Sequence, residues 1–177
     1  MQRMDIYGVS FDLVGKQPIV LLKTAEGNRF LPIWIGHAEA AAILMRIQGA
    51  ATPRPMTHDL LSDIIGKLDA EVVAVTVTEL RDNTFYASIT VQMNGSEIEV
   101  DSRPSDAIAL AVRSDAPIFA ADEVIEESAI EFEGDDGPPE NVSAMSDEQR
   151  AQVEEQFKEF LENVTPDQFA AAEPDDD

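Results

Sequence analysis

Cysteine is absent from the 177 residues, which excludes disulfides, thiolate metal sites and cysteine nucleophiles. Histidine is nearly absent: only His37 and His58 occur, too few for a three-histidine zinc site within one chain. No apolar run approaches the ~20 residues needed to cross a bilayer as a helix. The opening Met1-Gln2-Arg3-Met4-Asp5 lacks the hydrophobic stretch of a secretory signal. A soluble, cytoplasmic protein with no membrane partner is expected.

Positive charge is also scarce, with 12 Lys and Arg against 35 Asp and Glu for a net −23. The deficit is uneven. Residues 1–120 hold ten basic against fifteen acidic side chains, a net of −5, whereas residues 121–177 hold two against twenty, a net of −18. The C-terminal third is thus a polyanion, and its field repels phosphate backbones until salt screens it. A sequence-tolerant DNA-coating protein is disfavoured. Nucleic-acid binding needs a local basic patch, a divalent metal, or both.

What is present is apolar material enough for a core, 44% of the residues. Alternation predicts strands over 4–14 and 17–23, a turn at Glu26-Gly27-Asn28, and a strand over 29–35 whose Pro32 suits an edge or bulge. Helical spacing of Ala40, Ile43, Leu44 and Ile47 predicts a helix over 37–47 ending at Gly49. After a Pro-rich loop, Thr57 is a good N-cap for a helix over 59–68 with the apolar face Leu60, Leu61, Ile64, Ile65 and Leu68. Strands over 71–80 and 84–93 flank a tight hairpin, and Asn94-Gly95 leads to a short strand over 97–101. A helix opening at Pro104 and a brief strand over 117–119 complete the body. The expectation is an α+β fold of antiparallel or mixed sheet meanders with three packed helices over 1–130.

Residues 131–177 form an appendage of a different kind. An acidic, Gly- and Pro-containing linker covers 126–141. Ser146 and Gln149 then make a capping box, and Val153, Phe157, Phe160, Leu161 and Val164 form an apolar stripe on a helix over 146–164. Such a helix is marginal alone, so its face docks on the body, a second subunit or a protein partner. Asp175–Asp177 close an expected disordered tail.

Asp101-Ser102-Arg103-Pro104-Ser105-Asp106 places charged groups where a strand gives way to a helix. Pro104 suits a first helical turn because its missing N–H has no partner there anyway. The platform is either a binding site or a self-satisfied cap in which Asp106 favours the helix dipole and pairs with Arg103.

The segments Leu31-Pro32-Ile33-Trp34-Ile35-Gly36 with Glu39-Ala40, Arg54-Pro55-Met56-Thr57-His58-Asp59-Leu60-Leu61, Thr84-Phe85-Tyr86-Ala87 and Ser102 to Leu110 resemble the bifunctional nuclease domain family over roughly residues 4–130. The resemblance implies DNase and RNase activity and a homodimer with a groove for nucleic acid. It carries no established catalytic residue.

The residues themselves suggest how phosphodiester hydrolysis could run. Asp59 and Asp63, four apart on one helix face, together with Asp101 and Asp106 could hold Mg²⁺ or Mn²⁺ if the two elements meet. His58, Asp59, Asp101 and Asp106 are then the candidate catalytic residues, with His58 as general base or acid, since histidine ordinarily titrates near pH 6.5. Arg54, Arg103 and Arg46 could grip phosphate bidentately. The bland readings are a dipole-favouring Asp59, a solvated Asp63 and a surface His58. Two classes of function stand: a nuclease of low sequence specificity acting through phosphate contacts, or a non-catalytic regulatory module with an acidic C-terminal arm.

Overall fold

The structure, a computed structural model, describes residues 1–12, 17–50 and 52–131. The linker beyond 131, the helix over 146–164 and the terminal tail lie outside the described residues. So does the end of the first expected strand.

Among the described residues eight strands form one mixed sheet. β1 (Gln2–Asp12), β2 (Gln17–Thr24) and β3 (Arg29–Trp34) make one antiparallel meander. β4 (Ala70–Arg81), β5 (Thr84–Met93) and β6 (Ser96–Ser102) make the second. Between them lies β7 (Ile118–Ala120), antiparallel to β1 and parallel to β4. A two-residue strand, β8 (Ile130–Glu131), borders β3, giving the order β6-β5-β4-β7-β1-β2-β3-β8. Both tight hairpins have the expected turn chemistry. Asp82 and Asn83 (φ 50° and 55°) and Asn94 and Gly95 (φ 52° and 77°) all occupy the left-handed region that two-residue hairpin loops require. Pro32 lies on β3 beyond the two residues that β8 covers, where a missing N–H breaks no pairing with β8.

α1 (His37–Ile47), α2 (Thr57–Lys67) and α3 (Pro104–Ser114) are the three expected helices. A fourth, α4 (Asp122–Ser128), and β8 occupy part of what sequence assigned to linker. The linker expectation from residue 126 is therefore corrected: Val124 and Ile125 are buried in the core, and that anchors the acidic turn around them. The main core joins one sheet face (Val20, Leu22, Leu31, Ile33, Val72, Val75, Val77, Ile89) to Ile43, Ile108 and Leu110 of the helices. On the other face Ile19 and Leu21 pack with Tyr7 and Trp34.

α2 departs from its expected role. Of its apolar residues only Ile65 packs against the core, while Leu60, Leu61, Ile64 and Leu68 stay exposed. Its start also differs. The N-cap is Met56, not Thr57, and the Asp59 carboxylate accepts the Met56 N–H at 2.9 Å. Among the described residues no helix is long and apolar enough to cross a membrane.

Candidate functional site

Three helix N-termini meet at one place. Glu39 in the first turn of α1, His58 and Asp59 in the first turn of α2, and Arg103 and Asp106 at the start of α3 are joined by polar contacts. Arg103 caps α3 and Pro104 takes its first helical position, as the missing N–H predicted. Each helix end contributes partial positive charge from unpaired N–H groups, so the junction favours anions.

At its centre His58 Nε2 lies 3.0 Å from Asp106 Oδ1. The Arg103 guanidinium donates to both carboxylate oxygens, Nε to Oδ2 at 2.7 Å and Nη2 to Oδ1 at 3.1 Å. The same Nη2 reaches Glu39 Oε1 at 3.0 Å. Burial pushes the Asp106 carboxyl upward, but the hydrogen bonds from Arg103 and His58 outweigh it and hold the carboxyl below its ordinary range. Asp106 is therefore an acceptor at neutral pH. In a neutral imidazole, a carboxylate at Nε2 favours the tautomer with its proton on Nε2 and its lone pair on Nδ1. The His58 side chain is only 12% exposed, whereas Arg103, at 66%, forms the solvent-facing rim.

A second ion pair lies alongside. Asp59 Oδ1 accepts from Arg113 Nε, and the Arg113 side chain is only 5% exposed. Arg113 also donates to the carbonyls of Ala109 at 2.8 Å and Ala42 at 3.1 Å, tying α3 to α1 and α2. The Asp59 carboxyl is lowered first by the Met56 N–H and then by Arg113. This pair braces the scaffold.

The sequence-predicted residues divide accordingly. His58, Asp59, Arg103 and Asp106 come to the junction, and the local Arg103–Asp106 pairing forms as one part of a larger network. Arg46 instead donates to the Val112 carbonyl at 3.1 Å, linking α1 to α3. Arg54 is exposed in the loop before α2 and has no ion pair among the described residues. Asp63 is exposed on α2, and Asp101 is exposed on β6 opposite Ser88.

The quartet Asp59, Asp63, Asp101 and Asp106 is not assembled. Among the described residues no group of three or more His, Asp or Glu is placed to hold a metal ion. Asp59 and Asp106 already serve guanidinium groups, so among the described residues the donor set does not fit Mg²⁺ or Mn²⁺.

Two residues were missed. Arg113 follows Asp106 by seven positions and so shares its helical face, a spacing that pointed to it. Glu39 gave only the weaker signal of an acid in a first turn. Its carboxylate folds back over Gly36, where a Cβ would collide with it.

The whole network falls within the span that comparison singles out. The family model for the bifunctional nuclease domain matches residues 20–133. An uncharacterized protein of Mycobacterium tuberculosis is 38% identical over 171 residues, 97% of this chain and 99% of its own length. Bifunctional nuclease 1 of Arabidopsis thaliana is 30% identical over 105 residues, 57% of this chain and 32% of the plant protein. Bifunctional nuclease 2 of Oryza sativa subsp. japonica is 28% identical over 106 residues, 58% of this chain and 33% of its own. The match runs from β2 to just past β8 and takes in all three helices that build the junction, so this chain belongs to the bifunctional nuclease domain family.

Proposed function

We propose that the chain hydrolyses phosphodiester bonds of RNA and DNA with little sequence preference, using the His58–Asp106 pair for proton transfer. The observation that carries this reading is the 3.0 Å contact orienting His58 where three helix N-termini converge, in a chain of this family. His58 Nδ1 takes a proton from the attacking water, whose oxygen bonds to phosphorus as the phosphorus–oxygen bond to the leaving group breaks. The imidazolium, stabilised by Asp106, returns the proton to the leaving oxygen. Arg103 meets the phosphate by exchanging Glu39 for it, and contact with phosphate alone accounts for breadth across sequences.

Mg²⁺ or Mn²⁺ assistance stays within the proposal without a step assigned to it, and its test is loss of cleavage in EDTA. A homodimer belongs to the proposal on family resemblance and a cytoplasmic location on the cysteine-free composition, and light scattering that gives a monomer mass would remove the dimer. The alternative, a non-catalytic interaction module, draws support from the exposed apolar face of α2.

Cleavage of labelled single-stranded RNA and DNA decides between them. The wild type is expected to cut both, and His58→Ala to lose about 10²- to 10⁴-fold in rate while keeping its fold. Equal rates in the two proteins would overturn the assignment. No cleavage by the wild type, with or without metal, would favour the module.

A further inference from the structure

Among the described residues the helical layer does not cover the whole sheet face. Two rows of side chains cross the core face of the second meander, Val72–Val91–Ile98 and Val75–Ile89–Val100, as read from strand register. Val75 and Ile89 are 1% and 6% exposed, yet Val100 at the end of the row is 46% exposed, and Ile98 is 43% exposed beside partly buried Val91. The rows run out from under the helices at β6. α2 lies on the same side, since its Ile65 packs into the cluster that includes Val91. Its Leu60, Leu61, Ile64 and Leu68 are 53%, 38%, 46% and 63% exposed. A helix and a strand edge thus leave a strip of large aliphatic side chains uncovered, an arrangement that marks an interaction site.

We propose that residues 146–164 of the same chain dock as an amphipathic helix on this strip, between α2 and the core-facing side of β5 and β6. Their apolar positions, Val153, Phe157, Phe160, Leu161 and Val164, recur at helical spacing and need a partner surface. That stripe is about 17 Å long, against about 12 Å from Leu60 to Leu68 along α2. Reach is sufficient. The described chain ends at Glu131 in β8, five strands from β4 and seven from β6, or about 24–34 Å at ~4.8 Å per strand. A segment as long as 132–145 can extend to about 46 Å, and a random coil of that length averages about 20 Å end to end. A tether of that length supplies an effective concentration near millimolar, which favours the chain's own segment over a second copy at micromolar concentration. Charge does not oppose docking from the sheet. Glu97, Glu99 and Asp101 alternate with Ile98 and Val100 and so face away from the strip.

The absence of native cysteine makes the test direct. In the full chain, Ile64→Cys with Phe157→Cys is oxidised beside a tether control, Thr90→Cys with Phe157→Cys, in which the first cysteine lies between Ile89 and Val91 on β5 and so on the other face of the sheet. The proposal expects a disulfide within one monomer, formed at least about tenfold faster than in the control. Equal rates, or a product that is mainly a cross-linked dimer, would overturn it. A second reading uses no cysteine: Phe157→Asp with Phe160→Asp should raise hydrogen exchange of residues 57–68 and leave β2 and β3 unchanged. Unaltered exchange across α2 counts against docking.

Discussion

At Arg103 two carboxylates share one guanidinium, and they do different things. Asp106 takes two of its hydrogen bonds and is itself held by His58, whereas Glu39 touches only Nη2 at the exposed rim. Removing the rim charge should free Arg103 for phosphate without disturbing His58. Glu39→Gln is therefore expected to lower KM for RNA about two- to fivefold with kcat no higher, the scale of one partly exposed charge pair. A raised KM would show that Glu39 positions Arg103 and does not compete for it. Gly36→Ala reaches the same end from the backbone side. Its added methyl displaces a flexible carboxylate, so the fold should persist while KM shifts in the same direction as in Glu39→Gln. Sequence made the Arg103–Pro104–Asp106 cap legible because its chemistry is local. The contacts to His58 and Glu39 are 48 and 64 residues away from their α3 partners, and no spacing rule spans such gaps.

α2 is held by charge more than by burial. It has no fully buried residue, and its firmest tie to α3 is Asp59 on Arg113. Arg113→Ala would also strip donors from the Ala42 and Ala109 carbonyls, so a loss of roughly 2–4 kcal/mol in denaturant unfolding is expected. A loss below about 0.5 kcal/mol would show that the brace is dispensable. The pH dependence has a defined sign. Asp59 and Asp106 are both lowered on folding, so their contribution to stability is complete above the ordinary carboxylate range and is lost as pH falls through their depressed values. Stability should therefore decline below about pH 4, and Asp59→Asn should flatten that decline. An unchanged acid limb in Asp59→Asn contradicts this assignment. Periodicity revealed the helix, its length and its apolar face, because those are local properties. It could not say whether that face would be covered, since coverage depends on where the other helices settle over the sheet.

Over the whole molecule, charge is segregated: net −5 in residues 1–120 and −18 in residues 121–177. The anion-favouring junction and the polyanion share one chain, so distance and salt set their interaction. Truncation after Glu131 is expected to raise affinity for single-stranded RNA several-fold at 0.1 M salt, where the screening length is about 10 Å. The gain should vanish at 1 M, where it is about 3 Å. Equal affinity of the two forms at 0.1 M would show that the appendage does not repel substrate. The two meanders and their hairpin turns were readable from alternation and from Asn-Gly and Asp-Asn pairs. Their union into one sheet through β7 was not, because a three-residue strand carries no pattern that names its neighbours.

If Asp106 acts through His58, steady-state RNA cleavage by Asp106→Asn must reveal it. The amide keeps the shape but withdraws the charge that fixes the His58 tautomer and stabilises the imidazolium. The expected kcat is lower by about 10²- to 10⁴-fold in protein whose circular dichroism matches wild type. Wild-type kcat in that folded variant would contradict it.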